Sequence, residues 1–223
     1  MNATSHIGQK EKVMDRSAVV VAVGLPSMFE QDKATLELKG KPLIKHVVDN
    51  VEPLVDEVVV VAGSQESVAV YEEILGPHVK FVAASEADSV LLTALAGFQA
   101  ASQKHVLLVP CDAPFVSVDV AELFFELCQG KAAVVARWPN SEIEPLHAVY
   151  NRKVALEAAE MAVEDECVGL EAMVENMCGI RYVSTLVVQE MDPELRTFFS
   201  VNSLVDLKRA EVMATPRRKR RTV

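Results

Sequence analysis

The sequence lacks the features that mark a membrane protein or a secreted protein. Its longest apolar blocks are too short to cross a bilayer, although 50% of its 223 residues are hydrophobic. Residues 1–16 are polar and contain no apolar stretch like that of a signal peptide. The four cysteines form no Cys-x-x-Cys pair, and no histidine stands at zinc-ligand spacing from two of them. We therefore expect a soluble cytoplasmic protein with reduced thiols and no membrane partner.

An excess of positive charge is also missing. The formal net charge is -10, and five of the 22 basic residues lie in the run 217–221, so the other 17 face 32 acidic residues. A body of this charge repels polyanions, and we therefore expect no nucleic-acid partner. The basic run is typical of a solvated terminus, although it could also contact a nucleic acid or an acidic patch of a partner.

Short aliphatic runs alternate with helical patterns along most of the chain. Nearly continuous apolar runs predict buried strands at residues 18–24, 57–62, 79–83, 105–110 and 132–137. Such alternation builds an α/β fold with a doubly wound, mostly parallel sheet and helices on both faces. The length suits one domain, which we place at residues 17–213, between a flexible arm (1–16) and a basic tail (214–223).

Several residues mark where the helices begin. Pro42 precedes an apolar helical pattern, and Ser117 precedes another. Ser203 is followed three residues later by Asp206, as in a capping box, and therefore begins the last helix. The second half adds predicted strands at 146–150 and 180–185 and helices at 152–163 and 170–177.

The most informative segment is residues 106–116, where an aliphatic run stops at Pro110 and is followed at once by Asp112. A buried parallel strand that ends in this way delivers a carboxylate to the edge of the sheet where open α/β folds bind ligands. Asp112 could ligate Mg²⁺ beside nucleotide phosphates, or it could cap the next helix. Ser117 is the better placed cap, which favours the metal.

The loop after the first strand carries a weaker signal. It contains no Walker sequence and no Gly-x-Gly-x-x-Gly. Gly24 would let a ligand approach the backbone, and Lys33 could neutralise phosphate charge. An ordinary surface lysine is the alternative interpretation of this loop alone.

In combination, these segments resemble the molybdenum cofactor guanylyltransferase family from about residue 18 to residue 207. Its most specific blocks are Pro-Cys-Asp-Ala-Pro-Phe at 110–115 and Glu-Pro-Leu-His-Ala-Val-Tyr at 144–150. The resemblance implies a Rossmann-like fold of the nucleotide-diphospho-sugar transferase type. It implies transfer of GMP from GTP to the phosphate of molybdopterin or molybdenum cofactor, with release of pyrophosphate and a requirement for Mg²⁺.

The resemblance also implies roles for individual residues. Lys33 and Asp112 would be catalytic, Asp112 would hold Mg²⁺, and Asn202 would bind the pterin substrate. The nucleotide would contact these residues: Val21, Ala22, Val23, Gly24, Lys33 and Asp112. Asn202 could instead be a cap of the final helix. Partners would be GTP, molybdopterin and other molybdenum-cofactor proteins, with the chain a monomer or a weak homo-oligomer.

The phosphate loop departs from the family pattern at three positions. Val23 and Glu30 stand where the family has glycines, and Met28 stands where it has an arginine. A lost charge-assisted contact costs about 1.5–3 kcal/mol. Two alternatives therefore stay open: a non-catalytic binding or scaffold protein for cofactor delivery, and a nucleotidyltransferase with another phosphate acceptor, such as a sugar, alditol or corrinoid phosphate.

Three further side chains have two interpretations each. His147 could be an acid or base, although a core or rim histidine is commoner in an apolar strand. Glu144 could orient substrate or be a solvated rim acid. Trp138 is expected to pack rather than to stack on a base.

Overall fold

A computed structural model describes residues 15–23, 32–84 and 89–215. The strands in these ranges are β1 (Arg16–Ala22), β2 (Glu37–Leu38), β3 (Lys41–Pro42), β4 (Glu57–Ala62), β5 (Lys80–Ala83), β6 (His105–Pro110), β7 (Ala133–Arg137), β8 (Ile143–Asn151) and β9 (Ile180–Ser184). The α-helices are α1 (Leu43–Val51), α2 (Gln65–Leu75), α3 (Val90–Ala100), α4 (Val118–Leu127), α5 (Arg152–Glu164), α6 (Leu170–Glu175), α7 (Thr185–Val188) and α8 (Leu204–Met213).

The main sheet has the strand order β5-β4-β1-β6-β8-β7-β9. β1 pairs in parallel with β4 and β6, and β7 pairs in parallel with β9. β8 runs antiparallel to both of its neighbours, β6 and β7. The predicted α/β fold with a mostly parallel sheet is therefore confirmed, with β8 as the reversed strand in the described part of the chain.

Alternating side chains of the central strands enter two separate cores, one on each face of the sheet. Val20 of β1 packs on the face covered by α1, α2 and α4, and Val19 packs on the face covered by α3, α5 and α6. Both valines are fully buried, as expected of a strand that has helices on both sides. The predicted doubly wound arrangement is confirmed.

The helix starts follow the sequence signals. Ser117 accepts a hydrogen bond from the Val120 backbone N–H and caps α4. Ser203 accepts one from Asp206 at 3.2 Å and caps α8. Pro42 stands at the N-cap of α1, where its missing N–H costs nothing. These three predicted helix starts are confirmed.

The ends of the chain are only partly described. Residues 1–14 of the proposed arm and 216–223 of the proposed tail lie outside the described residues, and Arg16 already belongs to β1. The domain limits stay a prediction. In the helices that the structure describes, none has both the length and the apolar character needed to span a bilayer.

Candidate active site

A cavity of about 270 Å³ opens at the edge of the sheet where β1 and β6 end. Its lining includes Val21, Lys33, Asp112, Glu144, His147 and Asn202. This is the edge at which open α/β sheets bind ligands, because parallel strands there are followed by loops that diverge from one another.

Asp112 is placed at this edge by the end of β6. Pro110 is the last residue of the strand, and the Asp112 carbonyl accepts a hydrogen bond from Val201 N–H at 2.9 Å. Because Ser117 caps the following helix, the Asp112 side chain is not needed there. The alternative in which Asp112 is only a helix cap is therefore wrong.

Lys33 begins a short 3-10 turn, Lys33–Thr35, whose start is fixed by Asp32. One Asp32 oxygen accepts the Ala34 backbone N–H at 3.0 Å. The other accepts the hydroxyl of Tyr71, a fully buried residue of α2. The lysine is thus carried by a turn that is tied to the helix after β4.

Lys33 contacts two residues that lie far from it in the sequence. Its Nζ donates to Asn202 Oδ1 at 2.8 Å and lies 3.6 Å from Asp112 Oδ2. The two residues to which the resemblance assigns catalytic roles, Lys33 and Asp112, therefore lie next to each other at the cavity. Burial raises the pKa of Asp112, and this effect is opposed by Lys33 and by a hydrogen bond from Ser200.

Asn202 does not cap the final helix with its side chain, because Ser203 occupies that position. The Asn202 backbone N–H donates to Asp206 at 3.3 Å, which leaves the amide side chain for Lys33. The interpretation of Asn202 as a helix cap is wrong, whereas its contact with substrate stays a prediction.

The predicted nucleotide-binding residues of the first strand are only partly at the cavity. Val21 and Val23 line it, and the Val21 carbonyl accepts the Cys111 backbone N–H at 2.9 Å. Ala22 is buried in the core below. Gly24 lies outside the described residues, as do Met28 and Glu30 of the altered loop.

Glu144 and His147 line the cavity on the side formed by β8. Glu144 accepts the indole N–H of Trp138 at 2.6 Å, and burial raises its pKa. His147 is buried, and neither of its ring nitrogens has a hydrogen-bond partner among the described residues. Burial lowers the pKa of His147 to about 4, so the imidazole is neutral at physiological pH.

The donor set fits a magnesium ion that also binds substrate. In the described ranges no cluster of three or more His, Cys, Asp or Glu side chains is arranged to hold a metal. Mg²⁺ commonly takes one or two carboxylates and completes its shell with phosphates and waters. Asp112 suits that role, because its buried carboxylate has a cation only at the long distance of 3.6 Å.

Three side chains at the site carry no recognisable signal in the sequence. Tyr71 anchors Asp32, Ser200 hydrogen-bonds Asp112, and Phe198 lines the cavity. Each reaches the site through tertiary packing. The Asp-Lys pair of the family motif could have indicated the role of Asp32, but no motif marks its partner.

The fold and this site define a protein of the α/β nucleotidyltransferase class. A parallel sheet delivers a lysine, a carboxylate and an amide to one ligand-binding edge, within hydrogen-bond or ion-pair reach of each other. The chain belongs to the family of MobA-like NTP transferase domains, whose model matches residues 18–179.

Relatives of known name agree with this membership. A Methanosarcina acetivorans protein named "Probable molybdenum cofactor guanylyltransferase" is 31% identical over 204 residues, covering 88% of this chain and 90% of the relative. A Pyrococcus horikoshii protein of the same name is 31% identical over 195 residues, covering 85% of this chain and 96% of the relative.

Solved structures are similar in fold. Molybdopterin-guanine dinucleotide biosynthesis protein A from Archaeoglobus fulgidus has a TM-score of 0.75 at 22% identity, covering 88% of this chain and 97% of its own. A cytidylyltransferase for 2-C-methyl-D-erythritol 4-phosphate from Thermus thermophilus has a TM-score of 0.66 at 17% identity, covering 88% and 97%. At these identities the likeness concerns the fold.

Proposed function

We propose that the protein transfers GMP from GTP to the phosphate of molybdopterin or of the molybdenum cofactor and releases pyrophosphate. The observation that carries this proposal is the cluster in which Lys33 lies between Asp112 and Asn202 at the cavity. Family membership and the names of the relatives support the choice of GTP and of a molybdopterin acceptor.

The residues at the cavity suit a reaction that needs placement and charge neutralisation more than acid–base chemistry. The attacking phosphate is already anionic, so no strong general base is required. Lys33 offsets negative charge that accumulates on the departing pyrophosphate. Asn202, whose amide oxygen holds the lysine, keeps that ammonium at the cavity and offers its amide N–H to the acceptor.

Asp112 is the residue that would hold Mg²⁺. When bound, the ion neutralises phosphate charge and holds the reacting oxygens in line. The pKa of Asp112 is raised although Lys33 lies 3.6 Å away, so this one ammonium does not fully offset the cost of burying the ionised carboxylate. A Mg²⁺ ion that accompanies GTP would therefore supply the additional positive charge that stabilises the ionised carboxylate of Asp112.

A thermal-shift screen of GTP, CTP, ATP and UTP, each with and without Mg²⁺, tests the nucleotide. A ligand that binds only the folded state adds about 2.7 kcal/mol of stability at a hundred times its Kd. We expect GTP with Mg²⁺ to raise Tm most. A shift with CTP alone would reject guanylyl transfer, and no shift with any nucleotide would favour a non-catalytic scaffold.

Asp112→Asn tests the metal assignment in a turnover assay that measures pyrophosphate from GTP and molybdopterin. We expect a loss of about 100-fold or more, the usual effect of removing a group that stabilises transition-state charge. Asp119→Asn, which neutralises an exposed acid in the first turn of α4, should stay active. Equal turnover of Asp112→Asn and the parent would exclude Asp112 as the metal ligand.

A further inference from the structure

The side of the cavity formed by β8 differs in structure from the rest of the sheet. β6 and β8 pair as far as Leu108 and Ala148, and in the described residues their ladder ends there. On the other side, Val134 faces Val149 whereas Ala136 faces Glu144, so residues 145–148 of β8 stand opposite the single residue Val135, three more than in a regular ladder. The bulge and the end of the β6 pairing open the cavity along β8.

The bulge determines which side chains face the cavity. In a regular strand, residues three apart point to opposite faces, yet Glu144 and His147 both line this cavity. The hydroxyl of Tyr150 donates to the Pro145 carbonyl at 2.7 Å and closes the bulge from within the core. The arrangement is therefore held by a buried hydrogen bond rather than by a loose loop.

The β8 side offers a carboxylate with aromatic neighbours and no cation. Trp138 holds one oxygen of the half-buried Glu144, and the charge that acts on this carboxylate from the described residues is that of another acid, Glu142, rather than of a lysine or arginine. Phe198 packs against Trp138 at 5.9 Å and against the neutral ring of His147 at 5.5 Å between centroids. Such a pocket repels phosphate and suits a flat ring that presents N–H donors.

The sheet order separates this side from the nucleotide. β6, which is followed by Asp112, lies between β1 and β8, so a nucleotide at the end of β1 and a ligand against β8 would approach Asp112 from opposite sides. An in-line displacement requires the attacking group and the leaving group to lie on opposite sides of the phosphorus atom, and these two positions meet that requirement. On the basis of the proposed function, the ligand on the β8 side is the acceptor.

We infer that Glu144, oriented by Trp138, binds the paired N–H donors on the aminopyrimidinone edge of the acceptor's pterin ring and selects for that heterocycle. Guanine carries the same edge, so the alternative source of these donors is the base of GTP. Trp138 acts here as a positioning residue, because its indole fixes the carboxylate.

Trp138 is the only tryptophan of the chain and therefore reports binding at this position by its fluorescence. The probes are pterin and lumazine, the analogue in which an oxo group replaces the amine. We expect pterin to quench the emission and to bind about 10- to 100-fold more tightly than lumazine, because lumazine presents a carbonyl oxygen to the carboxylate. GTP should not alter this preference.

Glu144→Gln should keep an oxygen for the Trp138 N–H but turn an amide N–H₂ toward the ligand. We expect it to weaken pterin binding about 10- to 100-fold and to abolish the preference over lumazine. In turnover assays it should raise KM for the acceptor and leave KM for GTP unchanged. Glu160→Gln, at an exposed acid of α5 away from the cavity, is the control and should behave as the parent.

The outcomes separate this inference from the proposed function, since the fluorescence titration needs no turnover. A protein that binds pterin selectively but transfers no GMP would support the inference and reject the transferase. Absence of pterin quenching, or unchanged selectivity in Glu144→Gln, would overturn the inference alone. A variant whose KM rises for GTP and not for the acceptor would assign Glu144 to guanine instead.

Discussion

The carboxyl group of Asp112, which we propose as the magnesium ligand, lies in surroundings that disfavour its negative charge. Burial raises its pKa above the usual value, against the opposing effects of Lys33 and Ser200. A raised pKa in an acid means that the folded state binds the proton more tightly than the unfolded state. The ionised form therefore lowers stability at neutral pH, as is common for functional groups.

We therefore expect Asp112→Asn to be inactive but more stable than the parent. Asparagine fills the same volume without a charge, and Lys33 keeps its hydrogen bond to Asn202. The expected gain in unfolding free energy is about 0.5–2 kcal/mol, measured by urea unfolding at pH 7. The control Asp119→Asn loses a favourable interaction with the helix dipole, so its free energy of unfolding should be unchanged or slightly lower. A destabilised Asp112→Asn protein would contradict the prediction.

Single residues were predictable where the sequence states their local context. Asp112 follows a buried strand and Ser203 is followed three residues later by Asp206, so both positions could be inferred from neighbours in the chain. Tyr71 and Phe198 could not, because each contacts the site through residues distant in sequence. The contact between Lys33 and Asn202 spans 169 positions and was not predicted, because the family resemblance gave each residue a role without pairing the two.

At the scale of elements, the close approach of α3 to β1 depends on Gly97. A Cβ at this position would overlap Cγ1 of Val19 and come within 3.3 Å of Cγ2 of Val61. In an exposed helix, replacing glycine with alanine stabilises by about 1 kcal/mol. Here the methyl group enters a packed core, where overpacking costs about 1–3 kcal/mol.

Gly97→Ala should therefore lower the unfolding free energy, in contrast to the helix propensity of alanine. Val19→Ala alone leaves a cavity and should also destabilise. In the double variant the two changes compensate, so its loss should be smaller than the sum of the single losses. Additive losses in urea unfolding would show that the helix shifts away from the strand instead of being held by this contact.

The start and the direction of β8 could not be predicted from the apolar pattern of its own residues. The apolar alternation predicted a strand at 146–150, and the structure extends it to Ile143–Asn151 with a bulge around Pro145. Proline cannot donate to a ladder, which explains why the run appeared to begin after it. Its antiparallel direction follows from the connection to β7, a relation between elements that local periodicity does not contain.

For the whole molecule, the doubly wound architecture was predictable because buried parallel strands have an unmistakable apolar composition.

Burial also makes the stability of the molecule depend on pH through His147. Its pKa falls from the usual 6.5 to about 4, because desolvation disfavours the charged ring. Between these values the unfolded chain binds a proton that the folded protein does not, so stability decreases as pH falls.

The contribution of His147 is fully present above pH 6.5 and is lost progressively as the pH falls toward 4. A difference of this size corresponds to on the order of 3 kcal/mol. His147→Gln removes the titrating group, so its unfolding free energy should fall less steeply over this range. If the unfolding free energies of the parent and His147→Gln, measured in urea, change with pH in the same way, then burial does not lower the pKa of His147.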